Sequence, residues 1–250
     1  MKNLTKTFGA FISLLLLTGI LISGCKKDEN NNPDNPDDIP QQTSSPNNAD
    51  LGVTIDFAII AGSAVTSTGN TKITGDIGLS PGSSVGGFPP AILNGTMHIS
   101  DPVASSAKLD LTSVYDDLAG RTSTEIVTLS GNIGGLTLTP GLYKSTSTLS
   151  ISSGDLTLDA LGDENGVFII QIASSFTTTS GRKVILSGGA KAANVYWQVG
   201  TSATIGTTSN MKGNIIAMQS ITFKTGATLN GRAFARSGAV TLEESIITAP

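Results

Sequence analysis

Short apolar runs recur along most of the chain, and each is followed by a stretch in which apolar residues alternate with serine and threonine. The runs "FAIIA", "FIIQI", "VYWQV" and "NIIAM" each open a unit that reads as three short strands joined by glycine-containing bends. Near the C-terminus the units follow one another at roughly 18 to 20 residues, which is the period of solenoid coils. Six such coils predict a β-solenoid in which each coil buries the core of the next.

One segment breaks the strand pattern and predicts a helix at about residues 101–120. Asp101 is the expected N-cap, Pro102 occupies the first turn, and Gly120 ends the helix. The first strands of the coils read as buried on both faces, so an outer element must cover them. The helix is expected to do so with apolar residues at helical spacing, namely Val103, Ala107, Leu111, Val114 and Leu118.

The predicted fold class is therefore all-β dominated. It is an irregular right-handed β-solenoid of triangular cross-section, with one long α-helix packed along one face. The predicted domain comprises residues 50–250.

The second strand of each coil predicts a face of short hydroxyl side chains. With Val65, Leu149, Phe176 and their equivalents pointing inward, their neighbours point outward. The central outward positions are then Thr66, Ser150, Thr177, Thr204, Thr222 and Thr241. The flanking outward positions are Thr68, Thr148, Ser152, Ser175, Thr179, Ser202 and Ser220.

Charged residues fall mostly on the third strands, which predicts an ordinary solvated surface there. Two charged residues, Lys224 and Glu243, instead fall at outward positions of the second strands of the last coils. A long charged side chain at either position would interrupt the lattice of hydroxyls. This indicates either a contact area limited to the other coils or moderate activity.

The N-terminus predicts export. Lys2 and Lys6 precede an apolar run, so residues 1–24 read as a signal peptide. The run ends in "LISGC", which resembles the lipobox of bacterial lipoproteins and implies a lipid on Cys25, the only cysteine. The expected location is the outer membrane, with the lipid as anchor and the protein at the cell surface; the alternative is secretion to the medium. Residues 25–49 are polar and rich in Pro and Asn, which predicts a disordered tether.

Charge and cysteine content narrow the function classes. The whole chain has 15 Lys and Arg against 19 Asp and Glu, and loss of Lys2 and Lys6 makes the exported chain more acidic still. An acidic exported protein without a basic patch is a poor candidate for binding nucleic acid. A single cysteine allows no internal disulfide, so packing and hydrogen bonds must supply stability.

Catalytic chemistry is not predicted, although β-solenoids also serve polysaccharide lyases and hydrolases. Such enzymes need paired carboxylates, a metal site or a base in a groove. His98 is the only histidine, so neither a histidine-based triad nor a histidine metal cluster is available. Asp116 and Asp117 read as solvated charges on the helix, and "GDENG" at Gly162–Gly166 reads as a polar turn. We therefore expect no enzyme activity, no cofactor and no metal.

Several blocks, including "DFAIIAGSAVTSTG", "GVFIIQIASSFTTTSG" and "NVYWQVGTSATIG", resemble the large microbial family of ice-binding proteins with a discontinuous β-solenoid and a flanking helix. The resemblance covers nearly everything from Leu51 to Pro250. It implies adsorption to ice planes through the hydroxyl face, with thermal hysteresis, shaping of crystals and inhibition of recrystallisation. The family motif of Thr, Ala or Gly, any residue, then Thr or Asn is matched by "TGAT" at Thr225–Thr228, whereas "TSAT" at Thr201–Thr204 departs from it by a serine.

The expected partner is thus an ice crystal surface, bound by a monomer. A cell-surface adhesin or glycan-binding module remains the alternative. Carbohydrate sites normally offer exposed aromatic platforms, and the predicted hydroxyl face has none. Thr225 and Thr228 can also fall at a bend rather than on the face.

Overall fold

The computed structural model describes residues 39–250, which form a stack of parallel β-coils flanked by one long helix. The helix, α1, is Pro102–Gly120, and two short 3₁₀ turns are Gly52–Asp56 and Ala192–Asn194. In chain order the strands are β1 (Phe57–Ala61), β2 (Ala64–Thr68), β3 (Lys72–Thr74), β4 (Asp76–Leu79), β5 (Ser84–Gly86), β6 (Ile92–Asn94), β7 (Met97–Ile99), β8 (Val127–Thr128), β9 (Gly131–Asn132), β10 (Thr137–Leu138), β11 (Gly141–Ser145), β12 (Leu149–Ile151), β13 (Leu156–Asp159), β14 (Phe168–Ile172), β15 (Phe176–Thr178), β16 (Val184–Ser187), β17 (Val195–Val199), β18 (Ala203–Ile205), β19 (Asn210–Lys212), β20 (Asn214–Ala217), β21 (Ile221–Phe223), β22 (Thr228–Asn230), β23 (Ala233–Ala235), β24 (Val240–Glu243) and β25 (Ile246–Thr248).

Three faces arise because each coil gives one strand to each face. The first face is a nine-stranded sheet in the order β7-β4-β1-β23-β20-β17-β14-β11-β8, which we term the helix-covered sheet. The second is an eight-stranded sheet in the order β5-β2-β24-β21-β18-β15-β12-β9, which we term the hydroxyl sheet. The third combines β19-β22-β25-β3-β6 with β10-β13-β16 through a bridge between Lys183 and Asn210. Neighbouring strands run parallel.

The coils do not stack in the order of the chain. Strand β1 lies between β23 and β4, with Ile59 opposite Ala233 on one side and Ile77 on the other. The chain then builds one end of the stack through β7, and α1 carries it to the other end at β8. Its 19 residues extend about 28 Å at about 1.5 Å each. That length matches about six of the eight strand spacings, each roughly 4.7–4.9 Å, that separate β7 from β8 in this sheet. Helix α1 and residues 121–126 after it therefore form the crossover between the two ends.

Eight three-strand coils lie within residues 57–248, whereas the sequence pattern predicts six. The two additional coils are β4–β6 and β8–β10. They occupy the two ends of the stack, and their strands are only two to four residues long. A terminal coil has a neighbour on one side only, so it needs fewer buried residues and leaves a weaker pattern in the sequence.

Helix α1 seals the helix-covered sheet. The Asp101 carboxylate caps it by accepting a hydrogen bond from the Ala104 amide at 2.7 Å. Val103 does not belong to the buried stripe, because its side chain is 47% exposed, so that part of the prediction is wrong. The other four predicted residues are buried as expected, and the stripe that packs on the sheet begins one residue later and also includes Tyr115; its members are Ala104, Ala107, Leu111, Val114, Tyr115 and Leu118. Opposite these residues lie Phe57, Ile60, Leu142, Val167, Ile169, Tyr196, Ile216 and Phe234.

Two glutamines on adjacent strands fasten α1 to the sheet. Gln171 on β14 and Gln198 on β17 are paired in register. The Gln171 side-chain amide donates to the carbonyls of Leu118 at 2.8 Å and Arg121 at 2.9 Å, and the Gln198 amide donates to the Tyr115 hydroxyl at 2.8 Å. The last carbonyls of a helix lack intrahelical donors. Gln171 therefore caps the C-terminus of α1 from a different element.

Replacing Gln171 with leucine is expected to lower the free energy of unfolding by about 1–3 kcal/mol, because buried carbonyls lose their donor. Thermal unfolding followed by circular dichroism measures the change. Gln219 is exposed, so Gln219→Leu is the matched control and should stay within about 0.5 kcal/mol of the parent. Equal stability of the two variants would contradict the capping role of Gln171.

Residues 39–49 form an ordered strap that packs on the domain. Gln42 is buried and pairs with the backbone of β11, because Leu142 donates to its side-chain oxygen at 2.9 Å and accepts from its amide at 3.2 Å. Farther along, Asn48 accepts a hydrogen bond from the Tyr196 hydroxyl at 2.9 Å. Ala49 and Leu51 are buried in the cluster beneath α1. The strap crosses the helix-covered sheet beside α1.

Charged residues at the C-terminal end of α1 hold the strap as well. Arg121 donates to the Asn48 carbonyl at 3.2 Å. The Glu125 carboxylate accepts hydrogen bonds from the amides of Thr43 and Ser44, both at 3.1 Å. Bonds from the Thr43 and Ser44 side chains hold the pKa of Glu125 below its usual value. Residues 39–49 thus differ from the predicted disordered tether: polar side chains bond to the domain where the sequence shows no apolar period.

The predicted signal peptide at residues 1–24, the lipid site Cys25 and the tether as far as residue 38 lie outside the described residues. Within residues 39–250, no helix combines the length and the apolar composition that crossing a bilayer requires.

Candidate functional site

The hydroxyl sheet brings the six predicted central residues into one column. Across the sheet, Thr66 faces Thr241, Thr241 faces Thr222, Thr222 faces Thr204, Thr204 faces Thr177, and Thr177 faces Ser150. We term these six residues the central column. The strands are parallel and in register, so successive members are about 4.7–4.9 Å apart. Asn132 extends the column at one end and Gly86 at the other.

The side chains beneath the central column are apolar and fully buried. Val65, Leu149, Phe176, Ile205, Ile221 and Val240 each have 0% exposure. Phe176 also stacks on Trp197, with ring centroids 4.9 Å apart. A buried core therefore supports the column from below, since the interiors of proteins are close-packed.

A first flanking column runs along the start of the same strands. Backbone amides link it, because Leu149 donates to the Ser175 carbonyl at 3.1 Å, Phe176 to that of Ser202 at 3.1 Å, and Ala203 to that of Ser220 at 3.0 Å. Thr148 and these serines are its predicted members. The hydroxyl of Ser220 accepts from the Ala239 amide at 3.2 Å. Part of this column therefore fixes the bend that precedes β24.

A second flanking column lies two residues beyond the central one. It contains Ser152, Thr179 and Thr68, and Thr68 faces Glu243 across the sheet. Its hydroxyls are partly used inside the protein: Ser152 donates to the Asn132 side chain at 3.0 Å, and Thr179 donates to the Ser152 carbonyl at 3.1 Å. All thirteen predicted residues therefore lie on the hydroxyl sheet or directly beside its strands.

Several hydroxyls of the central column have few partners within the protein, and the hydrogen bonds of Ser150 are long, at 3.4 Å to the Gly131 carbonyl and to the Ser152 hydroxyl. Among residues 39–250, the side chains of Thr177, Thr204 and Thr222 make no hydrogen bond with another protein group. The pair formed by Thr66 and Thr241 is long, at 3.4 Å between the two oxygens. Thr177, Thr204 and Thr222, half of the column, can thus offer both their hydroxyl hydrogens and their oxygens to an external surface.

The sequence pattern misses Asn132 and does not resolve the "TGAT" segment. Asn132 continues the central column on the two-residue strand β9, where its only strand neighbour is Gly131, so no apolar alternation marks it. Thr225 lies in the turn after β21, and Thr228 begins β22 on the third face. The family-like motif therefore spans a corner of the coil and does not lie on the hydroxyl sheet.

The only charged side chains on the described hydroxyl sheet pair with each other. The Lys224 ammonium lies 3.0 Å from a Glu243 carboxylate oxygen. The other oxygen accepts from the Thr225 hydroxyl at 3.3 Å. The hydrogen bond from Lys224 holds the pKa of Glu243 below its usual value. The pair thus adds no net charge to the sheet.

Other titratable residues are engaged in structural contacts. His98 lies 2.8 Å from the Asp101 carboxylate at the start of α1, and its other nitrogen lies 4.0 Å from Asp76. Asp116 pairs with Arg236 at 2.8 Å, and Asp117 pairs with Arg121 at 2.7 Å. Within residues 39–250, no group of three or more His, Cys, Asp or Glu residues is arranged to hold a metal ion.

The order of the coils, the helix on one face and the array of hydroxyls on another define a class of β-solenoid. Its coils stack discontinuously, a helix seals one face, and a second face is an ordered array of hydroxyls. The sequence profile of the ice-binding-like family matches residues 59–248. The chain belongs to that family.

Proteins similar to this chain in sequence or in structure are named as ice-binding proteins. The ice-binding protein of Nostoc sp. (strain HG1) is 45% identical over 199 residues, covering 79% of this chain and 73% of the relative. That of Flavobacterium frigoris (strain PS1) is 38% identical over 218 residues, covering 80% and 76%. The crystal structure of an ice-binding protein from an Antarctic biological consortium is similar with a TM-score of 0.84 at 63% identity, covering 84% of this chain and 95% of that one.

Proposed function

We propose that this protein binds ice through the hydroxyl sheet, and that it acts by adsorption without catalysis. The observation that carries the proposal is the central column, in which five threonines and one serine face each other in unbroken register. Membership of the ice-binding-like family and the names of the relatives support it. The expected effects are thermal hysteresis, shaping of ice crystals and inhibition of recrystallisation.

Threonine suits such a surface because its side chain is stiff. A β-branched side chain in a strand has few χ1 rotamers, so its methyl and hydroxyl are already fixed before contact. Little rotamer entropy is then lost on binding. Outward side chains recur about every 6.6–6.8 Å along a strand and about every 4.7–4.9 Å across strands. The sheet therefore presents a two-dimensional lattice that can hold water molecules in a regular array.

We propose the absence of catalysis because several carboxylates and the histidine already have partners within the protein. The described carboxylates nearest to basic groups form ion pairs, as with Asp116, Asp117 and Glu243. His98 contacts the N-cap of α1 and the edge of the Phe57 ring, 5.8 Å between centroids. Among residues 39–250, these contacts engage the named carboxylates and His98 with groups of the fold itself, which argues against their use as a catalytic acid and base.

We also propose that the protein is exported and held at the cell surface by a lipid on Cys25, as a monomer. The support for export and for the lipid anchor is the sequence of residues 1–25. A tethered protein of this kind would attach its cell to ice, whereas a released one would protect the surrounding liquid.

Thermal hysteresis and crystal shape, measured on residues 26–250, test the proposed function. This part of the chain omits the predicted signal peptide and cysteine but keeps the strap. We expect a gap between melting and freezing temperatures, together with faceted crystals. A folded protein that shows neither, and that binds polysaccharides in a pull-down, would overturn ice binding in favour of the adhesin alternative.

A further inference from the structure

The second flanking column of the hydroxyl sheet is interrupted in its middle by the Lys224–Glu243 pair. Strands β21 and β24 are neighbours, and Phe223 faces Leu242 across them, so Lys224 and Glu243 are opposite each other. On the far side of Glu243 the next member is Thr68. The pair thus separates Thr68 from Ser152 and Thr179 at the other end of the column.

Gly206 completes the interruption. It follows β18, next to the position of Lys224, whose amide donates to the Ile205 carbonyl at 2.9 Å. A Cβ atom at Gly206 would lie 2.5 Å from the Thr178 carbonyl oxygen, so no side chain fits there. Three successive coils therefore offer no short hydroxyl in this column, whereas the central column beside it is continuous.

Charged groups and ordered ice-like water are poorly matched. An ammonium and a carboxylate each bind their own hydration shell, and both side chains are longer than threonine. Pairing at 3.0 Å removes the net charge but leaves both groups in place, with side-chain exposures of 45% for Lys224 and 30% for Glu243. The two side chains thus rise from the sheet directly beside Thr222 and Thr241.

We propose that the Lys224–Glu243 pair limits the width of the contact with ice, and that it confines adsorption over β21 and β24 to the central and first flanking columns. This inference rests on the function proposed above. It assigns the pair a specificity-determining role, because a narrower contact area matches fewer crystal planes.

The test is the double variant Lys224→Thr with Glu243→Thr in residues 26–250. Threonine is favoured in strands, and the change extends the column that begins at Thr68 over two further coils. We expect the curve of thermal hysteresis against protein concentration to shift upward, and a fluorescently labelled protein to cover additional planes of an ice hemisphere. Each single variant leaves one charge unpaired, so both should lie at or below the parent.

The Glu164–Lys191 pair supplies the matched control. Its ion pair is of similar length, at 2.8 Å, and it lies outside the hydroxyl sheet. Lys191→Thr with Glu164→Thr should leave hysteresis unchanged. Should the Lys224 and Glu243 double variant not fold, Lys224→Ser with Glu243→Ser replaces it. A folded double variant with parental or lower hysteresis overturns the inference alone, whereas a parent without hysteresis overturns the proposed function.

Discussion

Replacing Thr204 with tyrosine removes most of the thermal hysteresis of residues 26–250, while the free energy of unfolding stays within about 1 kcal/mol of the parent. Thr204 lies on β18, in the interior of the hydroxyl sheet, between Thr177 and Thr222 of the central column. A phenol ring at this position stands above the neighbouring methyls and hydroxyls. Ice can then no longer approach the column over several strands, so contact is lost well beyond the substituted residue. Hysteresis and crystal shape are measured beside thermal unfolding.

A matched substitution on another face separates this effect from a general change of surface. Thr74 is an exposed threonine on β3 of the third face, between Thr248 and Asn94. Thr74→Tyr should keep parental hysteresis, and Thr177→Tyr should behave like Thr204→Tyr. If the variants at residues 74 and 204 lost activity equally, the hydroxyl sheet would not be the specific contact surface.

Removing the strap lowers stability without removing the hydroxyl sheet. A chain that begins at Asp50 loses the paired bonds of Gln42 to Leu142 and the contacts of Asn48 with Tyr196 and Arg121. Three partly or fully buried hydrogen bonds and one exposed bond, at about 1 kcal/mol each, together with burial of Ala49, predict a loss of roughly 3–5 kcal/mol. For a domain of this size the melting temperature then falls by about 10 °C. Near 0 °C the shortened protein should remain folded and keep its hysteresis.

Melting temperatures of chains that begin at residues 26, 39 and 50 separate the contribution of the strap from that of the residues before it. The first two should melt together, because both contain the strap, and only the third should melt lower. Gln42→Leu with its exposed neighbour Gln41→Leu as control tests the same contact without truncation. Identical melting of all three chains would show that the strap contributes nothing measurable to stability.

Local alternation is what made the central column predictable. Phe176 and Ile205 are apolar residues within short runs of hydroxyl residues, and burial of their side chains turns Thr177 and Thr204 outward. Helix α1 was predictable for a similar reason, because its cap and its apolar stripe lie within one continuous segment. The buried residue of its N-terminal turn was harder to predict. Val103 and Ala104 are both small and apolar, and only the position of the sheet decides which one is buried.

Contacts between distant segments were not predictable from such patterns. Gln42 reads as one polar residue among many, and its partner Leu142 lies 100 positions away. Lys224 and Glu243 are recognisable as interruptions, but their pairing depends on the register of β21 and β24. Thr225 and Thr228 match a motif in sequence, yet the turn at Gly226 places them on different sides of a corner.

The discontinuous order of the coils also governs how the chain can fold. Thr66 and Thr241 are neighbours in the hydroxyl sheet although 175 positions separate them. Strands β1, β2 and β3 therefore leave the ribosome long before their partners β23, β24 and β25 exist, and contacts of such large sequence separation form slowly. The strands of the first coil therefore keep one unpaired edge until the last coil has been synthesised. A chain that stops before residue 233 thus loses an interior strand from every face, and the stack is divided in two.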